Sequence, residues 1–535
     1  MHYCGQVHCP TEWAFVSSRA YSDPFNDVQL DVLFRAPDGS EHRVPAFWAG
    51  EQEWRVRFAP SQEGIYRWRT VCTDTGNTAL HGAEGTLTVT PYEGENPLLR
   101  RGGLRVSANG CYLQHRDGTP FLWLGDTWWM GLCKRLSFPG DFQTLTADRV
   151  RKGFTVIQIV AGLYPDMGAF DERGVNEAGF PWEHGRARIN PRYFDMADLR
   201  IHWLVKQGLV PCIVGCWGYY IHWLGVERMK KHWRYLVARW GAYPVVWCLA
   251  GEVLMPFYEE HSHPREWHED YQLKTRAMWE EVARSVRAID PYGHPITAHP
   301  TVSARDSLSD EVLDFDMLQT GHGDRSSLPN TIQQVVRSYH RQPALPVVEG
   351  EVCYEGIGEA SRQEVQRLMF WACWLNGAKG FTYGANGIWQ VNTREKAYGP
   401  SPHGMAWGDT PWEEAYRLPG SEQVGMAKRL LERYAWWKIE PHPEWVEPHW
   451  NEQNYFLPFA GGIPGELQLI YTPVYHRHLT VKELEQGVVY RAFLFDPATG
   501  QETPLGEAQG DAEGNWTTPV LPKFQDWLVV LERPG

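Results

Sequence analysis

LPVVEGEVCYEG, residues 345–356, runs an apolar stretch straight into three glutamates. Leu345, Val347 and Val348 have the character of a buried strand, and Glu349, Glu351 and Glu355 follow within a few positions. Burying carboxylates is costly, so a chain that aims several at the end of an inside strand needs a chemical reason. A second run of the same kind, VVWCLAGE (245–252), ends in Glu252. Roughly 100 residues separate Glu252 from Glu351, or three steps of about 33, close to the strand–helix period of an eight-fold barrel.

Six more apolar runs keep that rhythm: FLWLGD (121–126), FTVIQIV (154–160), LVPCIVGCW (209–217), ITAHP (296–300), FDMLQTGHG (315–323) and GFTYGANGIW (380–389). Between them lie amphipathic stretches such as PRYFDMADLRIHWLVKQG and GVERMKKHWRYLVARWG. Ser361-Arg362-Gln363-Glu364 has the pattern of a capping box for the helix that ends near Asn376-Gly377. Eight such units indicate a closed barrel or a large doubly wound sheet. LGDTWW, after the first run, is not the glycine-rich phosphate loop expected of the sheet, so an α/β fold built on a (β/α)8 TIM barrel is predicted over 104–436.

The flanks read differently. In residues 1–95, VQLDVLFRAPDG, WRVRFAP, YRWRTVCT and GTLTVTPY are short strands spaced by turn residues, which predicts an N-terminal β-sandwich. EGENPLLRRGG (93–103) reads as a linker. YFLPFA, ELQLIYTP, VVYRAFLFDPATG and WLVVLER predict a C-terminal β-sandwich over 440–535.

Net charge is −14 with no basic block, which argues against nucleic acid or an anionic membrane surface as partner. The start, MHYCGQVHCPTEWAF, lacks a basic leader and an apolar signal core, and the ten cysteines show no CxxC pairing; a cytoplasmic location is expected. Cys212, Cys216, Cys248 and Cys373 sit in apolar runs, where a reduced cysteine acts as a small hydrophobe. The 27 tryptophans fit either large cores or sugar binding, because indole faces stack on the apolar faces of sugar rings.

In such a barrel the chemistry lies at the C-terminal ends of the strands. The candidates there are Asp126 on the first strand, Gln158 on the second, and Trp217 with Tyr219 after the third. Glu252 ends the fourth, His299 the fifth, His322 the sixth, Glu349 and Glu351 the seventh, and Tyr383 and Trp389 the eighth. Two glutamates on the fourth and seventh strands face each other across a barrel mouth, and glycosidic cleavage needs such a pair: one acid to protonate the leaving oxygen, one carboxylate to attack. Asp126 either holds a sugar hydroxyl or ties the first loop. No metal site is expected, since neither His299 nor His322 has metal-ligand spacing to another His, Cys or carboxylate.

FLWLGDTWW, VVWCLAGE, FDMLQTGHG, LPVVEGEVCYEG and GFTYGANGIWQ resemble the apiosidase-like glycoside hydrolases, a group within the retaining (β/α)8 clan. The N- and C-terminal stretches are similar to the β domains that flank that catalytic domain. The resemblance implies that Glu351, in Gly350-Glu351-Val352-Cys353-Tyr354-Glu355, is the nucleophile and Glu252 the acid/base. Two positions depart from the pattern: Gly251 stands where many clan members carry an Asn that grips the sugar 2-hydroxyl, and Glu349 where this group frequently has Asn. Apiosidases themselves prefer Asp at the position of Glu252.

Alternation along a strand points Glu349 and Glu351 to one face, so both are expected to look into the barrel, with Glu349 a layer deeper against a buried cation or a sugar hydroxyl. Glu355 is expected to anchor a loop. Glu351 must be ionised, with Tyr383 and His322 as donors; Glu252 must hold a proton, in an apolar setting supplied by Trp217 and Trp247. Trp389 is the expected stacking floor. Loops 161–190, with Tyr164, Asp166, Trp182 and Glu183, and 390–415, with Trp407, Asp409 and Trp412, are expected to wall the pocket.

Together these features predict a retaining glycoside hydrolase with no cofactor, acting on plant or microbial oligosaccharides. Furanoside versus pyranoside, and assembly as a homo-oligomer, are left open. The alternatives are a non-catalytic carbohydrate-binding protein on a degenerate barrel, and a metal-dependent barrel hydrolase using His299 and His322.

Overall fold

Short, mostly apolar runs make strands that can be covered on both faces, and the computed structural model, which describes residues 1–534, has eight of them in one parallel sheet. They are β1 (Trp123–Thr127), β2 (Val156–Val160), β3 (Val210–Val214), β4 (Val246–Cys248), β5 (Ile296–Thr297), β6 (Asp316–Gly321), β7 (Val347–Val352) and β8 (Gly380–Tyr383). Hydrogen bonding runs β5-β4-β3-β2-β1-β8-β7-β6, the order of a (β/α)8 barrel. Between β5 and β6 no ladder forms. Asp314 N–H donates to the Ile296 carbonyl at 2.8 Å and Thr297 Oγ1 to the Phe315 carbonyl at 3.0 Å, closing the seam.

The antiparallel flanks are also present. A five-stranded sheet (His2–Gln6, Leu30–Arg35, Glu41–Pro45, Gly64–Cys72, Glu84–Thr90) packs on a three-stranded one (Thr11–Val16, Phe47–Gly50, Glu53–Phe58) over Trp13, Phe34, Trp54 and Trp68. After the barrel, a six-stranded and a three-stranded sheet enclose Trp445, Ile470, Leu494 and Val529. Buried arginines tie both flanks to the barrel. Arg57 Nη2 donates to Asp198 at 2.5 Å, and Arg367 makes two 2.8 Å bonds to Asp526. Planar guanidinium forks suit such junctions because they satisfy a carboxylate bidentately.

Three helices supply side chains or ends that matter to the site: α1 (Gly140–Lys152), α2 (Leu328–His340) and α3 (Gln363–Leu375). Two local expectations need correction. The linker stretch contains a short helix, Pro97–Arg101, capped by the Asn96 side chain. The capping box does not form: α3 starts with Arg362 at its N-cap and no side-chain cap, because Ser361 sits at φ 50° with its N–H committed to Asp324. The helix ends as the sequence predicts, at Asn376 with Gly377 at φ 114°.

A bulge in β7 decides which glutamate faces the barrel. Leu318 of β6 pairs with Glu349 and Gln319 with Glu351, so Gly350 is an extra residue. The residue must be glycine: a Cβ there would meet Met317 Cγ at 2.4 Å. The bulge breaks the alternation, so Glu349 and Glu351 do not share a face. Glu349 is fully buried and accepts from Thr320 Oγ1 at 3.1 Å. Thr320 in turn receives the Thr331 hydroxyl of α2 at 2.9 Å, which places this network between strand and helix.

Candidate active site

At the C-terminal mouth of the barrel lies a cleft of 230 Å³. Glu252 and Glu351 both line it, with Gln319 between them: Gln319 Nε2 lies 3.2 Å from Glu252 Oε1 and 3.4 Å from Glu351 Oε1. Two oxygens sharing one nitrogen at those distances are less than about 7 Å apart, within the range for carboxyl groups that flank a single glycosidic bond.

Two histidines and a tyrosine surround Glu351. His322 Nε2 is 2.8 Å from Oε1 and His299 Nε2 is 3.0 Å from Oε2. The Tyr354 hydroxyl is turned to the same carboxylate and accepts the Trp129 indole N–H at 3.0 Å. Burial by itself would raise the Glu351 pKa; His299 and then His322 outweigh it and hold the carboxyl well below the usual carboxylate range.

Glu252 has the opposite bias. It lies four residues beyond β4 with φ 39°, a left-handed backbone uncommon outside glycine, held by Gly251 N–H to the Cys216 carbonyl (2.9 Å) and Val253 N–H to the His299 carbonyl (3.0 Å). Burial, then the charge of Glu351, push its pKa up to about 7 against the pull of His299 and Gln319. Trp217 Nε1 donates to its Oε2 at 3.1 Å. One carboxyl is thus poised to stay ionised and the other to hold a proton near neutrality, the arrangement that splits acid and base roles between two like groups.

Trp217 also accounts for Gly251. A Cβ on Gly251 would meet the Trp217 ring at 2.1 Å, so no side chain fits while the indole lies there. The indole N–H supplies a donor beside Glu252.

Trp389 also lines the cleft, near-parallel to Tyr354 at 6.3 Å, with its indole N–H unpartnered. From the two loops, Asp166 and Trp407 reach the cleft, whereas Tyr164, Trp182 and Trp412 are packed elsewhere. His299 is completely buried just under the floor, edge-on to Trp129 at 5.2 Å.

Six expected site residues do not line the cleft: His299, under its floor, and five others engaged elsewhere. Asp126 is buried and accepts from Arg149 Nε of α1 and Trp128 Nε1, each at 2.6 Å; it ties the first loop and is spent on that ion pair. Gln158 donates to the Gly350 carbonyl at 3.0 Å inside the barrel, bracing the bulge. Tyr219 donates to the Tyr164 carbonyl at 3.0 Å within an aromatic cluster. The Tyr383 hydroxyl donates to Glu355 Oε2 at 2.6 Å rather than to Glu351, and Glu355 also accepts Gly420 N–H at 3.0 Å. Among the described residues Glu349 meets neither a cation nor the cleft, and burial raises its pKa well above the ordinary value. Likewise Trp247 donates to Asp290 at 3.1 Å and is not beside Glu252.

Sequence reasoning missed Gln319, Trp129 and Tyr354. Gln319 alternates with the outward Thr320 in the run that supplied His322, so its inward face was readable. Trp129 and Tyr354 belong to loops whose course only the fold defines. Among the described residues no group of three or more His, Cys, Asp or Glu is arranged to hold a metal ion. No helix among them is long and apolar enough to cross a membrane.

An eight-unit barrel between two β-sandwiches, with two carboxyls across its mouth, belongs to the glycoside hydrolase class, as its family match shows, and solved structures share most or all of the fold. A putative glycoside hydrolase from Bacteroides vulgatus aligns over 99% of this chain and 100% of its own at TM-score 0.70 and 17% identity. A family 5 glycoside hydrolase from the same organism aligns over 83% and 95% at TM-score 0.68 and 22% identity. A third structure, titled glycoside hydrolase, covers 82% and 99% at TM-score 0.68 and 24% identity. The chain belongs to the apiosidase-like family, whose catalytic-domain profile matches residues 107–438. Residues 6–73 match a domain of unknown function, DUF5060. A comparison with curated proteins finds no match.

Proposed function

We propose that this glycoside hydrolase cleaves short plant or microbial oligosaccharides by double displacement with retention of configuration. Glu351 attacks the anomeric carbon while Glu252 protonates the departing oxygen; Glu252, now ionised, then takes a proton from the water that releases the sugar. The observation that carries this is the opposite protonation bias of two carboxyls bridged by one amide, Glu252 pushed up to about 7 and Glu351 held far below. Trp129, Trp217 and Trp389 give the cleft the aromatic walls that suit a sugar's apolar faces. Its 230 Å³ fits a short substrate better than a polymer segment.

The test is Glu351→Gln on a panel of 2,4-dinitrophenyl furanosides and pyranosides, with the anomer of the first-formed product followed by NMR. Turnover should be abolished without loss of folding, and the wild type should release the retained anomer. Wild-type rates in the variant would remove Glu351 from the nucleophile's role, absence of turnover by the wild type on every glycoside would leave a carbohydrate-binding protein as the better account, and an inverted product would replace the covalent step by direct attack of water.

A further inference from the structure

Among the described residues Asp166 is the third carboxylate that lines the cleft, and the double displacement assigns it no role. It is 7% exposed and holds φ 54°, so both its burial and its backbone cost free energy that the fold has to offset. The offset is a dedicated scaffold from two loops. The Tyr398 hydroxyl donates to the Pro165 and Asp166 carbonyls at 3.2 and 3.3 Å. Arg173 donates to the Asp166 carbonyl at 3.2 Å while lying over the Tyr398 ring at 4.4 Å. The Asp166 N–H donates to the Tyr258 hydroxyl at 2.9 Å.

The carboxylate itself is only half used. Ser401 Oγ donates to Oδ1 at 2.8 Å, and the Tyr258 hydroxyl and Trp407 indole stand beside the carboxylate without a well-formed hydrogen bond to Oδ2. No lysine or arginine pairs with it, in contrast to the buried Asp126 and Asp198. Beside it on the cleft wall, the buried indole N–H groups of Trp407 and Trp389 are both without partners. A carboxylate and two indole rings set in the wall of one cleft form the complement of a polyol, whose hydroxyls each donate and accept and whose apolar faces stack on indole.

We infer that Asp166 is a specificity-determining residue: its free oxygen accepts a hydroxyl of the bound sugar, with Trp407 as the neighbouring donor. This rests on the glycosidase reading of the cleft. A buried carboxylate built to accept a hydroxyl is left unsatisfied by a substrate that lacks it, and such sites discriminate strongly.

The test takes the 2,4-dinitrophenyl glycoside that wild-type enzyme turns over fastest, together with its set of monodeoxy analogues. Asp166→Asn keeps the shape and tolerates the left-handed backbone. It should lose roughly 10–100-fold in kcat/KM on the parent, mostly in KM, and nothing further on one particular deoxy analogue. Ser401→Ala, which frees Oδ1, should show a smaller loss with the same analogue dependence. Equal losses on every analogue, or no loss on the parent, overturn the inference while leaving the Glu252–Glu351 reading intact. If Glu351→Gln is as active as wild type, or no glycoside is turned over, that reading falls and this one with it.

Discussion

Glu252 and Glu351 hydrogen-bond the same amide nitrogen, Nε2 of Gln319, at 3.2 and 3.4 Å. The fourth and seventh strands thus deliver two acids to one point, and the differences in their surroundings set which keeps its proton.

The pH profile follows from those surroundings. Glu252 must be protonated to act as the acid, so kcat/KM should fall above a midpoint near pH 7. The acid limb, where Glu351 takes up its proton, should lie below the ordinary carboxylate range. In Glu252→Gln the alkaline limb should vanish. That variant should still open 2,4-dinitrophenyl glycosides, which need no acid, then stall as glycosyl-enzyme until azide releases it. Stopped-flow bursts with and without azide check both points.

Gln319 pulls the Glu252 pKa down, so removing its amide should let it rise. In Gln319→Leu the alkaline limb should move to higher pH by a measurable fraction of a unit, with kcat/KM about 10-fold lower from lost alignment. A limb that moves to lower pH would show that the amide acts through another group.

His299 is the larger of the two influences that keep Glu351 ionised. His299→Asn should raise the acid limb toward ordinary carboxylate values and lower kcat by roughly 10–100-fold, an effect of the size typical for a lost charge-assisted contact at a reacting group. His322→Asn should do the same to a lesser extent. The pH–rate profiles of the two variants measure the order directly.

Glu252 also links activity to stability. Its folded pKa is raised from an ordinary 4.5 to about 7, so the stability it contributes is full below pH 4.5 and is lost as pH rises through 7. Glu252→Gln should therefore melt with the wild type at pH 4 and higher than it at pH 8, by roughly 1–3 °C. Differential scanning fluorimetry at the two pH values decides it.

Restoring Asn at position 251 should inactivate the enzyme, because its Cβ would lie 2.1 Å from the Trp217 ring. Gly251→Asn combined with Trp217→Ala should recover part of the loss, since the double change removes the clash and returns a polar donor beside Glu252. Comparing kcat/KM across the four-member cycle measures the coupling.

Much of the architecture was legible. Parallel barrel strands are covered on both faces, so they appear as short apolar runs, and all eight runs became strands. The spacing of Glu252 and Glu351 survived because the strand–helix period is set by covalent lengths. Asp126, Gln158, Tyr219, Tyr383 and Glu349 went elsewhere for a common reason. A strand-end polar residue can turn to the cleft, to a helix or to a neighbouring loop, and partners distant in sequence make that choice: Arg149 for Asp126, Glu355 for Tyr383.

What the chain's own order determined was the repeat, and with it the strands that carry an acid to the barrel mouth, because apolar periodicity is local and strand and helix lengths are fixed. Tertiary structure alone decided which glutamate of the seventh strand faces the cleft, since the bulge at Gly350, where a side chain would clash with Met317, breaks the alternation of the strand. It also decided the proton preferences of Glu252 and Glu351, because burial and the fields of His299, His322 and the partner carboxyl exist only once the barrel brings them together.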